Sequence, residues 1–183
     1  KLLENLLEWA RLQMDYGAFQ PETLDLREAV NGTMELLQPV ATGKNFDLKC
    51  GVAEGCMVHA DPHMVDTILR NLISNAIKFS HVGGAVDIRS SPTAEWIEIS
   101  VIDKGIGIDP AQAEALCSIA SKTTSTGTAG ETGTGLGLPL CREMVEHHGG
   151  HIEVQPVTTG GSIFRFTLPA AGEKAADDAS AGP

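Results

Sequence analysis

The chain has 183 residues, a formal net charge of -11 and a pI near 4.8. That length allows one domain with a buried core plus an appendage, and 42% hydrophobic residues with a mean hydropathy of -0.01 exclude wholesale disorder and a membrane-embedded fold. An acidic surface repels polyanions, so a nucleic-acid-coating role is excluded and any phosphate site must be local.

The chain opens with KLLENLLEWARLQ and no initiating Met. We read it as a piece of a longer protein whose sensing or membrane parts lie elsewhere. The opening mixes charge too freely for a signal peptide, and no apolar run is long enough to span a bilayer. Leu2, Leu6 and Trp9, with Leu3, Leu7, Ala10 and Met14, predict an N-terminal helix with a broad apolar face. That face needs a partner, either its own domain or an intermolecular helical bundle. Asp15, Tyr16, Gly17 and then Pro21 end it.

Residues 26–43 read as a helix closed by Pro39 and Gly43 and weakened by Gly32. Two short strands are expected at 46–52 and 56–60. Asp61 as N-cap and Pro62 at the first helical position then start a helix running to about Phe79. Residues 85–91 and 96–103 alternate like antiparallel strands joined by a turn around Pro92. A short helix is expected from Pro110 to about Ile119. Residues 120–135 contain almost no apolar side chains and predict a mobile loop without a core position. A helix over about 136–148 stops at Gly149 and Gly150. The segments HIEVQPV and GSIFRFTLP predict a closing hairpin, and the tail from Ala170 predicts disorder. Cys50, Cys56, Cys117 and Cys141 show neither CxxC pairing nor a metal-like grouping with histidine, as structural thiols of a reducing cytosol would. No internal repeat is visible.

Three short motifs carry chemistry. In NLISNAIKFS (71–80), Asn71, Asn75 and Lys78 follow helical spacing on the face beside the apolar stripe of Val65, Ile68, Leu69, Leu72, Ile73 and Ala76. Two amides and an ammonium along one helix edge suit a magnesium-bound polyphosphate, because Mg²⁺ takes few protein oxygens and keeps water and phosphate oxygens. The plainer reading is a solvated polar face. In DKGIGI (103–108), Asp103 ends a strand, with Gly105 and Gly107 leaving room for a ligand against the backbone; its carboxylate is a suitable acceptor for an adenine amine. By itself Asp-x-Gly-x-Gly more often marks a turn. In GTGLGL (133–138), three glycines precede a helix, an arrangement whose backbone N–H groups and dipole attract phosphate. The chain has neither the P-loop pattern nor a dinucleotide GxGxxG after a strand. Their order along the chain is more specific than any one motif.

In that order the motifs resemble the asparagine box and the two glycine boxes of the ATP-binding catalytic domain of sensor histidine kinases. The resemblance covers roughly residues 20–169, including CREMVEHHGGHIEV and GSIFRFTLP. It implies an α/β fold, the two-layer Bergerat sandwich of a mixed sheet on three helices, preceded by the N-terminal helix. It implies domain limits as well: residues 1–16 as the truncated second helix of a dimerisation domain, 20–169 as the ATP-binding domain and 170–183 as a tail. Its cofactors would be ATP and Mg²⁺. Asn75 would hold Mg²⁺, with Asn71 and Lys78 meeting the phosphates or the ion, and Asn75 and Lys78 closest to the chemistry. Asp103 would read the adenine amine beside Gly105 and Gly107, while Phe79 and Ile108 line the base pocket. Gly133, Thr134, Gly135, Leu136 and Gly137 would contact phosphates, and Gly127, Gly130 and Gly133 would give the loop freedom to close. Ser162 would place a hydroxyl near the base.

Two departures stand out. Leu116, Cys117 and Ile119 occupy the stretch where such domains usually carry an aromatic box. The phosphoacceptor motif, a histidine followed by an acidic residue, is absent, and His59, His63, His81, His147, His148 and His151 read as structural or surface residues. The resemblance therefore implies a cytoplasmic kinase domain that does not phosphorylate itself by the usual route. Its γ-phosphoryl group would pass to a histidine outside this sequence and onward to a response-regulator receiver domain, within a homodimer formed through the missing helices. Neither nucleic acid nor membrane contact is expected of the chain. The competing readings are a nucleotide-dependent interaction module, such as an anti-sigma factor or pseudokinase, and another remodelling ATPase of the same fold.

Overall fold

The computed structural model describes residues 19–109, 113, 127–128, 135–158 and 160–172. The predicted N-terminal helix, most of the 110–119 helix, Gly130, Gly133, Thr134 and the tail beyond Gly172 lie outside the described residues. Along the chain run β1 (Glu22–Asp25), α1 (Leu26–Gly43), β2 (Asp47–Gly51), β3 (Met57–Ala60), α2 (Pro62–Phe79), β4 (Ala85–Pro92), β5 (Trp96–Asp103), α3 (Gly137–His147), β6 (Ile152–Pro156) and β7 (Ser162–Pro169).

Local chemistry sets the helix starts. The Asp25 carboxylate accepts from the Arg27 and Glu28 N–H groups at 2.8 and 3.2 Å. Asp61 does the same for His63 and Met64 at 3.0 and 3.1 Å, with Pro62 opening α2 as expected. Pro39, by contrast, lies inside α1 and does not close it. A single missing N–H near a solvated helix end costs one ladder bond, which the rest of an 18-residue helix tolerates. Closure comes at the C-cap Lys44, followed by Asn45 in the left-handed region at φ 51°. At the end of α3 the expected glycine does that work: Gly149 follows the cap His148 at φ 75°.

The main sheet has the order β2-β4-β5-β7-β6, with β2 parallel to β4 and every other pair antiparallel. Alternation decides its faces. Ile97, Ile99, Val101 and Asp103 of β5 point inward, in register with Leu168, Phe166, Phe164 and Ser162 of β7. Against this inner face pack Leu69, Leu72, Ile73, Val30, Leu140 and Val145 of the helices. The outer face carries Arg165 between Glu98 (3.7 Å) and Glu153 (3.3 Å), a solvated cluster of small energetic weight. The result is the expected two-layer α/β sandwich, with three helices among the described residues.

The strand β1 was not anticipated. It pairs with β3 in a separate antiparallel ladder, Glu22 against Ala60 to Asp25 against Met57. Pairing also continues past the expected domain limit at 169: Ala170 bridges to Val58, and the Ala171 N–H donates to Met57 O at 3.1 Å.

Candidate functional site

The exposed edge of α2 gathers the predicted motifs. Asn71, Asn75, Lys78 and Phe79 are all half-buried, while Leu72, Ile73, Ala76 and Ile77 turn into the core. The Asn71 amide nitrogen donates to Thr67 O at 2.9 Å. That orients its oxygen towards α3, where a Cβ placed on Gly137 would fall 2.8 Å from Asn71 Oδ1. A side chain at 137 would push the Asn71 amide out of this position, and glycine preserves it. Gly135 at φ 72° makes the turn into Leu136, the N-cap, whose own side chain makes no capping bond. Backbone N–H groups at such a start favour an anion.

At the other end of the helix edge, the Phe79 carbonyl accepts from the Ile106 N–H at 3.1 Å. A Cβ on Gly105 would sit 2.3 Å from Phe79 O, so this docking requires glycine. Lys78 places its ammonium 4.5 Å from the centre of the Phe79 ring, which holds the charge at the rim of the aromatic surface.

Asp103 is 4% exposed at the end of β5. Burial pushes its carboxyl above the ordinary carboxylate range, partly offset by the Gly105 N–H and by the backbone and hydroxyl of Ser162. The Gly105 bond is 2.8 Å long. Ser162, also 4% exposed, stands opposite Asp103 in the β5–β7 ladder. Gly161 before it, at φ 94°, passes so close that a Cβ would meet Asp103 O at 2.1 Å. Gly107, at φ 75°, lies against Gly161, and Ile108 packs on the core.

Asn71 and Gly137, Phe79 and Gly105, and Asp103 and Ser162 thus meet as three contacts between segments far apart in sequence. Gly133 and Thr134 fall outside the described residues. The donor set fits the groups that the sequence resemblance implies. A carboxylate offers about four acceptor sites, so Asp103 can bind an amine besides these donors. Amide oxygens without a carboxylate cage suit an ion that arrives already bound to phosphates. Lys44 and Thr128, which the motif reading missed, bind the last carbonyls of α2.

Residues 60–172 match the family described as "Histidine kinase-, DNA gyrase B-, and HSP90-like ATPase". The chain belongs to this family. It is 40% identical over 172 residues to the adaptive-response sensory kinase SasA of Prochlorococcus marinus subsp. pastoris, covering 92% of this chain and 45% of that protein. The chain spans less than half the length of the curated relatives it matches. Among solved structures, the catalytic domain of histidine kinase ThkA superposes with a TM-score of 0.73 at 28% identity, over 82% of this chain and 96% of that one. Full-length ShkA in complex with AMPPNP gives 0.78 at 25% identity, over 93% of this chain and 36% of that one. The fold of this family member is that of histidine kinase catalytic domains.

Proposed function

We propose that this chain is the ATP-binding catalytic domain of a sensor histidine kinase, which positions Mg·ATP for γ-phosphoryl transfer to a histidine outside the sequence. One observation carries the reading: the polar edge of α2 meets the glycine-flanked start of α3 at Asn71 and the loop that follows Asp103 at Phe79. Asp103 accepts the adenine amine, with Ser162 holding its carboxylate and Phe79 and Ile108 flanking the base. Asn71, Lys78 and the backbone from Gly133 to Gly137 meet the phosphates, and Asn75 supplies an amide oxygen to Mg²⁺. An ion held there would supply neutralisation of the phosphate charge. Catalysis by the chain itself is then orientation and charge placement, the usual protein contribution to phosphoryl transfer. Residues 1–16 belong, on this reading, to a dimerisation helix of the longer protein, and a response-regulator receiver domain takes the phosphoryl group afterwards.

Calorimetric titration of Mg·ATP into the wild type and Asn75→Ala tests the assignment. The variant is expected to bind about tenfold more weakly with magnesium present, the equivalent of one lost polar contact, and as the wild type does without it. Equal affinity of both proteins with and without the metal removes the role of Asn75.

A further inference from the structure

Lys44 belongs to no motif, yet it is 8% exposed and its ammonium is placed with care. Its backbone closes α1 through an N–H bond to Ala41 O at 3.1 Å. The side chain then reaches the far end of α2, where Nζ donates to Ile77 O at 2.9 Å and to Lys78 O at 3.1 Å. A third donor bond goes to Thr128 Oγ1 at 3.0 Å. An ammonium has three protons, and among the described residues three oxygens accept from this one, two of them at the negative end of a helix dipole.

Thr128 completes the arrangement. Its N–H donates to Lys78 O at 3.1 Å, and its hydroxyl lies 2.6 Å from Ser80 O. A hydroxyl has one proton, so it donates to Ser80 O while accepting from Lys44. Every carbonyl of the last turn is then accounted for: Ala76 by Ser80 N–H, Ile77 by Lys44, Lys78 by Lys44 and Thr128, Phe79 by Ile106 N–H, and Ser80 by Thr128. Orphan carbonyls at a helix end usually turn to water or to a glycine-led turn. Here a buried charge binds them instead, despite its desolvation cost, and so ties three segments together.

We propose that Lys44 is a positioning residue of the nucleotide site, whose ammonium fixes the last turn of α2, and with it Lys78 and Phe79, to the segment carrying Thr128. The inference rests on Mg·ATP binding at the site proposed above. A charge-assisted bond holds its partners more tightly than a water would, so Lys78 meets the phosphates from a turn already held in place.

The test uses the whole chain with Lys44→Met, Lys44→Arg and Thr128→Val. Exchange of the Thr128 amide proton, followed by NMR without nucleotide, is expected to quicken at least about tenfold in Lys44→Met, the equivalent of one lost charged hydrogen bond. Affinity for Mg·ATP should fall about tenfold in the same protein and recover in Lys44→Arg, which restores the donors. Thr128→Val, at an exposed position, should weaken Mg·ATP binding and lower the melting temperature less than Lys44→Met does, and it decides the matter if Lys44→Met does not fold. Unchanged Thr128 exchange, or quickened exchange with unchanged Mg·ATP affinity, overturns the proposal. A wild type that binds no Mg·ATP sinks the proposed function instead, and the exchange measurement still decides whether Lys44 holds Thr128.

Discussion

Asp103 shows how one side chain can be costly to the fold and, in the proposed function, useful to the site. Its carboxyl titrates above the ordinary range because burial disfavours the charge more than Gly105 and Ser162 favour it. The sign for stability follows: its contribution is fully present below the unfolded value near 3.9 and is lost as pH rises through the raised folded value. For binding the direction reverses, since protonation removes the acceptor that an adenine amine needs, so affinity should fall as pH drops through that raised value. Asp103→Asn keeps an oxygen for the Gly105 N–H but surrenders the charge. We expect its affinity for ATP to fall roughly ten- to a hundredfold, the worth of a hydrogen bond to a charged group, while its melting temperature at neutral pH does not drop. Titration calorimetry beside thermal melts checks both, and undiminished affinity would refute the assignment. The position of Asp103 at a strand end was legible from alternation in WIEISVID; its contact with Gly161 was not, because β7 lies almost sixty residues further on.

Among the elements, α2 is pinned at its start by a relay that ordinary helix signals do not announce. The Asp61 N–H donates to His148 Nε2 at 2.9 Å, and His148 Nδ1–H donates to Met144 O at 2.7 Å, which fixes a neutral tautomer. Phe19 meets the imidazole edge-on at 5.0 Å. Burial lowers the His148 pKa; the Met144 carbonyl and Asp61 oppose that shift, while His147 and His59 reinforce it. A depressed histidine contributes stability above the unfolded value near 6.5 and loses it as pH falls towards the folded value. Melting temperatures should therefore decline as pH falls below about 6.5, the stability loss being at most about 1.4 kcal/mol per pH unit for this proton. His148→Gln should melt lower at pH 7 and show a shallower decline; an unchanged slope would separate His148 from the effect. The start and length of α2 were legible because Asp-Pro and a clean apolar stripe act locally. The strand β1 was not: four residues with no alternation gain their structure from β3, more than thirty residues away. The same holds for Thr128, since composition reports the lack of apolar burial around it and is silent about a hydrogen bond to a helix end.

At the scale of the molecule, the sequence carries the motifs proposed to meet nucleotide but no phosphoacceptor motif, so the proposed kinase reading predicts transfer only in the presence of an added substrate. Labelled ATP, this chain and a separately made phosphoacceptor helix pair should give label on the histidine of that pair, and none on the chain alone. Binding of ATP with no label transferred would favour an interaction module instead. Chain entry and exit have a mechanical consequence. Leu24 and Ala170 both pair with Val58, on opposite edges of β3, and β3 leads straight into α2. Tension or twist arriving through residues flanking this core is therefore borne by a three-strand seam at one end of the helix. Of the residues proposed to meet phosphate, Asn71 stands midway along this 18-residue helix and Lys78 near its far end, about 24 Å from Pro62, where a load acts by tilting the whole lever.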